Sequence, residues 1–125
     1  MNSFKIGITE FGIGKISFSI ENGVLDLEIT GNDRVFNELM KDENCEWIWA
    51  LYPPRIYFHG VPYKENEIMI DTNFLNHYEI ALYMMEHNDF IGSLKVTDST
   101  IDIHGKVYMG GKASTLDIRV ERTEM

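Results

Sequence analysis

A single cysteine, Cys45, leaves this 125-residue chain without an internal disulfide. That usage fits a reducing, cytoplasmic compartment, and with no histidine beside it in sequence the thiol reads as a small packing or loop residue. No apolar run approaches the roughly 18 residues that cross a bilayer. The start, Met1-Asn2-Ser3-Phe4-Lys5-Ile6, alternates like a strand and lacks the basic head and apolar stretch of a secretory signal. Neither membrane association nor export is expected. Pro-, Gly- or Ser-rich tracts and fixed-period repeats are also missing, which leaves one domain over residues 1–125. Basic residues are scarce, eleven against twenty acids, for a formal net charge of −9. Between Glu21 and Glu46 only Arg34 and Lys41 interrupt the acids, and between Glu65 and Asp102 only Lys95 does. Such a surface repels phosphate backbones, so no nucleic-acid partner is expected.

Motifs of catalysis are missing as well. There is no Gly-X-Ser-X-Gly, no Cys-X-X-Cys and no His-Glu-X-X-His, and His59, His77, His87 and His104 fall in separate elements, so neither metal nor cofactor is expected. Gly12-Ile13-Gly14-Lys15 and Gly110-Gly111-Lys112 lead into strands and not into helices, which turns explain and phosphate loops do not. The tightest polar constellation is Glu86-His87-Asn88-Asp89. Carboxylates flanking an imidazole suit a general acid or a cation site. Neighbouring strand residues point to opposite faces, however, so Glu86, His87 and Asp89 read first as a turn with hydrated acids.

What the chain does contain is strand pattern. Asn22-Gly23 sits between two alternating runs so that a two-residue loop sets Ile20 against Leu25, Phe18 against Leu27 and Ile16 against Ile29, leaving Lys15, Ser17, Ser19, Asp26, Glu28 and Thr30 on the other face. Gly31-Asn32-Asp33 then caps a short amphipathic helix over about Asp33 to Lys41. Glu46 to Tyr52 is apolar on both faces and predicts a central strand ending at Pro53-Pro54, with Arg55 to His59 resuming the alternation and Gly60 and Pro62 bending it. Asn73 to His87 satisfies both the helical and the strand period, and the turn residues Asn88-Asp89 favour the strand. Three alternating segments between Phe90 and Glu121 form a meander. The sum is a mainly β fold bordering on α+β, an antiparallel β-sandwich or partly closed barrel with one short helix near 33–41.

Two binding surfaces emerge. Acid-bearing elements point to a basic protein partner, with Asp26, Glu28, Glu86, His87 and Asp89 as candidate contacts. The dense aromatic stretch from Trp47 to Tyr63 offers a pocket for a small molecule or carbohydrate, lined by Trp47, Trp49, Arg55, Tyr57 and His59, unless it fills the core. In size, acidity and want of catalytic motifs the chain resembles bacterial immunity proteins, which occupy a cognate toxin, often a basic nuclease. No residue pattern marks a particular immunity family, so no site is carried over. The expectation is a non-catalytic, cytoplasmic binding protein, with the carbohydrate or small-molecule binder as alternative and a small enzyme using Glu86, His87 and Asp89 third.

Overall fold

A computed structural model describes residues 2–45, 47, 50–63, 67–83, 90–109 and 112–124. The hairpin forms as the sequence predicts. Asn22 and Gly23 take φ of 54° and 74°, the pair of positive values a type I′ turn requires, and β3 (Ile16–Glu21) meets β4 (Val24–Thr30) in the expected register from Glu21 opposite Val24 to Ile16 opposite Ile29. Leu25, Leu27 and Ile29 of β4 are buried.

On the far side of β4 lies β5 (Arg55–Pro62), and beyond it β7 (Glu79–Tyr83), giving a four-stranded antiparallel sheet in the order β3-β4-β5-β7. The bend that the sequence suggests at Gly60 and Pro62 falls inside β5, which runs on through it. Gly60 adopts φ 63°, and the register with β4 slips between Leu25 and Leu27. The bend is thus absorbed as a bulge within the ladder.

The second sheet has six antiparallel strands in the order β2-β1-β10-β9-β8-β6, built from β1 (Ser3–Ile6), β2 (Thr9–Glu10), β6 (Glu67–Ile70), β8 (Ile91–Val96), β9 (Thr100–Met109) and β10 (Lys112–Glu121). β8, β9 and β10 are the expected meander. Its inner residues, among them Ile101, Ile103, Leu116 and Ile118, face the inner residues Ile56, Phe58 and Val61 of the first sheet in one buried apolar cluster. No strand pairing joins the two sheets among the described residues, so the architecture is sandwich-like and not a closed barrel.

The helix α1 (Asp33–Leu39) starts where Asn32 accepts the Val35 N–H at 3.1 Å and ends about half a turn before the expected Lys41. Phe36 is its buried anchor.

Two expectations are corrected. The described residues of the stretch Glu46 to Tyr52, 47 and 50–52, do not form a central strand: Trp47 lies in a turn closed by the Ala50 N–H on its carbonyl at 2.9 Å, and residues 51 and 52 bend. The stretch reads as apolar on both faces because Trp47 and Ala50 plug the core while Leu51 and Tyr52 are exposed. Nor is Asn73 to His87 one strand. Asp71 accepts the Phe74 N–H at 2.9 Å and starts α2 (Thr72–His77), after which the chain straightens into β7 against β5. The two periods that compete in the sequence are used in succession. Residues 84–89, and with them Glu86, His87 and Asp89, lie outside the described residues.

Candidate functional site

Side chains alternate across a strand, so burying Leu27 and Ile29 on β4 and Ile56 and Phe58 on β5 sends Asp26 and Glu28, and Arg55, Tyr57 and His59, to the outer face of the same sheet. Glu28 is in register with Tyr57, and Thr30 with Arg55. Arg55 reaches diagonally to Glu28, Nη2 to Oε2 at 3.2 Å, with both side chains substantially in solvent. Along β5 the same guanidinium sits 5.8 Å from the centre of the Tyr57 ring, and that ring stacks on His59 at 5.7 Å with 10° between the planes. The row Arg55, Tyr57, His59 is a cation over an aromatic over an imidazole, the natural result of placing such residues two apart on one strand face.

Asp26 has a double role. Its Oδ1 lies 2.9 Å from His59 Nδ1 and also accepts the Gly60 N–H at 3.1 Å. The carboxylate therefore ties down the bulge as well as facing the solvent. At the other end of the face, Tyr83 is the register partner of Arg55; its hydroxyl accepts the Leu51 N–H at 3.1 Å and its ring meets the exposed Tyr52 edge-on at 5.8 Å.

Members of both sequence-derived groups thus meet on one surface: Asp26 and Glu28 share it with Arg55, Tyr57 and His59. Sequence reasoning assigns them to different hypotheses because the pairing of β4 with β5 is long-range; the signal available was the matching alternation of Leu25 to Ile29 and Ile56 to Phe58. Trp47 is elsewhere. It is 2 % exposed, packs edge-on against Phe11 at 6.1 Å, and donates Nε1–H to Thr9 Oγ1 at 3.1 Å, which makes it part of the core. Trp49 lies outside the described residues.

The outer face of the six-stranded sheet is built differently. Glu67, Lys95, Asp102 and Arg119 follow one another across four strands in register, with Arg119 Nη1 3.1 Å from Asp102 Oδ1, and His104 pairs with Asp117 in the next row. Alternating charges offset one another there, with no aromatic row among the described residues, as in a solvated face. A cleft of about 650 Å³ opens between the β1–β2 turn, the end of α1 and the start of β10, with Thr9, Asp42, Cys45 and Lys112 on its walls. No group of three or more His, Cys, Asp or Glu able to hold a metal occurs among the described residues, and none of their helices is long and apolar enough to cross a membrane.

Chemically, the Asp26–His59 face offers hydrogen-bonding charges and stacked rings on a stiff, open sheet. Glu28 is offset there by Arg55, so the face is less acidic than the sequence suggests. Against family models, curated proteins and solved structures the chain finds no match.

Proposed function

We propose that this protein is a non-enzymatic binding module that holds a basic protein partner on the outer face of the four-stranded sheet, in the manner of an immunity protein occupying a toxin such as a nuclease. The observation that carries the reading is the convergence of Asp26, Glu28, Arg55, Tyr57 and His59 on one exposed face. Tyrosine and arginine are enriched among the few residues that carry most of the binding energy in protein interfaces, and an open sheet face suits a protein better than a small molecule, which needs a concave site. The exposed pairs are weak in water, so Glu28 can exchange Arg55 for a partner's lysine or arginine at little cost. The net charge of −9 adds steering toward a basic surface.

The test is capture from the cell of origin with the unmodified chain, with Glu28→Arg, with Tyr57→Ala, and with the control Lys95→Glu on the opposite sheet. The reading predicts a basic protein that is retained by the unmodified chain and the control, is lost from both face variants and is released by salt. Retention indifferent to Glu28 and Tyr57 overturns it. So does the absence of any retained protein together with a saccharide or other small molecule that raises the melting temperature.

A further inference from the structure

Residues 15–21 read Lys-Ile-Ser-Phe-Ser-Ile-Glu, a sequence that is the same in both directions about Phe18 except that its ends carry opposite charges. This segment contains β3, the outermost strand of its sheet, whose one strand neighbour among the described residues is β4. The two-residue turn makes Glu21 and Val24 a hydrogen-bonded pair, and the Thr30 N–H on the Lys15 carbonyl at 3.0 Å confirms that phase at the far end. Ser17, Ser19 and Glu21 therefore direct their N–H and C=O groups to β4, while those of Ile16, Phe18 and Ile20 point out of the sheet. Such a row is a template for another strand, and sheets ordinarily blunt it with short strands, proline or inward charge. β2 has two residues and β6 four; β3 has six with none of these devices. Its apolar side chains are also unfinished. Leu25, Leu27 and Ile29 are fully enclosed, yet their cross-strand partners Ile20, Phe18 and Ile16 keep part of their surface in solvent, Ile20 at 38 %.

We infer that β3 is the seat of a two-fold symmetric dimer in which a second copy adds its own β3 antiparallel, centred on Phe18. Phe18 then faces Phe18 of the second copy, Ile16 faces Ile20, Ser17 faces Ser19, and Lys15 faces Glu21, with every unlike pair occurring twice. At this centre the backbone groups that must bond are those of Ile16, Phe18 and Ile20, the ones that point outward. Sliding the strands by two residues in either direction breaks the matching of like with like and separates Lys15 from Glu21. A two-fold interface has to be self-complementary, and the opposite charges at the ends of the palindrome meet that condition. The like net charge of two copies acts over longer distances and is screened beyond about 8 Å at physiological salt. The product is one continuous sheet carrying the Asp26–His59 face twice, an arrangement that stands whatever that face binds.

Sedimentation velocity on the full chain over a concentration series tests this, using the unmodified protein, Lys15→Glu, Glu21→Lys and an equimolar mixture of the two variants. Both positions are exposed, and an unchanged far-UV spectrum and melting point in dilute solution show that each variant folds. The unmodified chain should pass from one chain mass to two, and each variant alone should dissociate at least tenfold more readily because like charges then face each other twice. The mixture should recover the dimer, since each reversed end meets its complement on the other chain. In the dimer, amide exchange at Ile16, Phe18 and Ile20 should slow while that at Ser17 and Ser19 stays as it was. A single chain mass at every concentration, a dimer indifferent to either reversal, or a mixture that fails to recover it overturns the inference.

Discussion

Gly92 of β8 and Gly105 of β9 lie opposite each other in the ladder, and the ring of Phe90 occupies the space their side chains would fill. A Cβ built on Gly105 comes within 2.6 Å of Phe90 Cε1 and 2.7 Å of Gly92 Cα, and also collides with the Ile91 carbonyl; one built on Gly92 meets the same ring atom at 2.7 Å. Phe90 itself is wholly buried. The two glycines leave a shallow trough in the inner face of the sheet, and the aromatic ring closes it.

Gly105→Ala should therefore destabilise the protein by about 1–3 kcal/mol, the usual cost of overpacking where backbone is the obstacle, and Phe90→Ala by about 3–5 kcal/mol through the cavity it leaves. Gly23→Ala provides the contrast. At φ 74° and with its nearest neighbour, the Tyr63 carbonyl, 3.9 Å from a built Cβ, it carries only the conformational cost of the left-handed region, about 1–2 kcal/mol. Urea unfolding monitored by tryptophan fluorescence should give losses for Phe90→Ala greater than for Gly23→Ala; equal losses would refute the packing account of the trough.

Asp26 and Glu28 look interchangeable in sequence but should not behave alike. Asp26 accepts the Gly60 N–H that anchors the bulge, whereas the contact of Glu28 with Arg55 is an exposed ion pair. Asp26→Ala is expected to cost about 1 kcal/mol, the net value of a hydrogen bond, with Asp26→Asn costing less because it keeps an acceptor. Glu28→Ala should change stability by less than about 0.5 kcal/mol, in line with exposed ion pairs. Equilibrium unfolding of the three variants checks the ranking, which also makes Glu28 the cleaner probe of binding.

The limits of the sequence follow from the range of the interactions. Hairpin register, the Asn32 cap and the meander were legible because each is set by residues close in the chain: Asn22-Gly23 fixes one turn, and alternation fixes which face is buried. The bulge at Gly60 was not, since it is defined by Asp26, 34 residues away. Trp47 illustrates the same point. Its apolar neighbours suggested a strand, but its position is settled by Thr9 and Phe11, which no local period can reveal. The candidate site was half visible: both groups of residues were identifiable, and their union required the pairing of β4 with β5.

Tyr63 makes a second cross-chain tie. Its hydroxyl accepts the Val96 N–H at 3.0 Å and lies 3.4 Å from the Val96 carbonyl. Burial raises its pKa above the ordinary 10.0, opposed by the Val96 N–H and reinforced by the charge of Glu67. A phenol that ionises more readily when unfolded contributes stability that is complete below about pH 10 and declines as the pH rises through the folded value. Tyr63→Phe should therefore lower stability near neutrality by about 1 kcal/mol, by stranding the Val96 N–H, and should flatten the alkaline decline in melting temperature. A decline just as steep in Tyr63→Phe assigns it to other groups.

The acid side is governed in the same way by Glu10. One carboxylate oxygen accepts the backbone N–H groups of Phe4 and Gly12, at 2.7 and 2.9 Å, and the other accepts the Ser3 hydroxyl. Burial alone would raise its pKa, but the hydrogen bonds from Ser3, Phe4 and Gly12, with the charge of Lys5, outweigh it and hold the carboxyl below the ordinary 4.5. A depressed folded pKa means that the contribution is present above about pH 4.5 and is lost as the pH falls through the lower folded value. Glu10→Gln removes that dependence while keeping one acceptor for the β1–β2 turn. Melting temperature measured from pH 7 down to pH 3 should fall less steeply in Glu10→Gln than in the unmodified protein, with the two curves drawing together at the acid end. Parallel curves over that range would show that the fold holds Glu10 no more tightly as a carboxylate than as a protonated carboxylic acid.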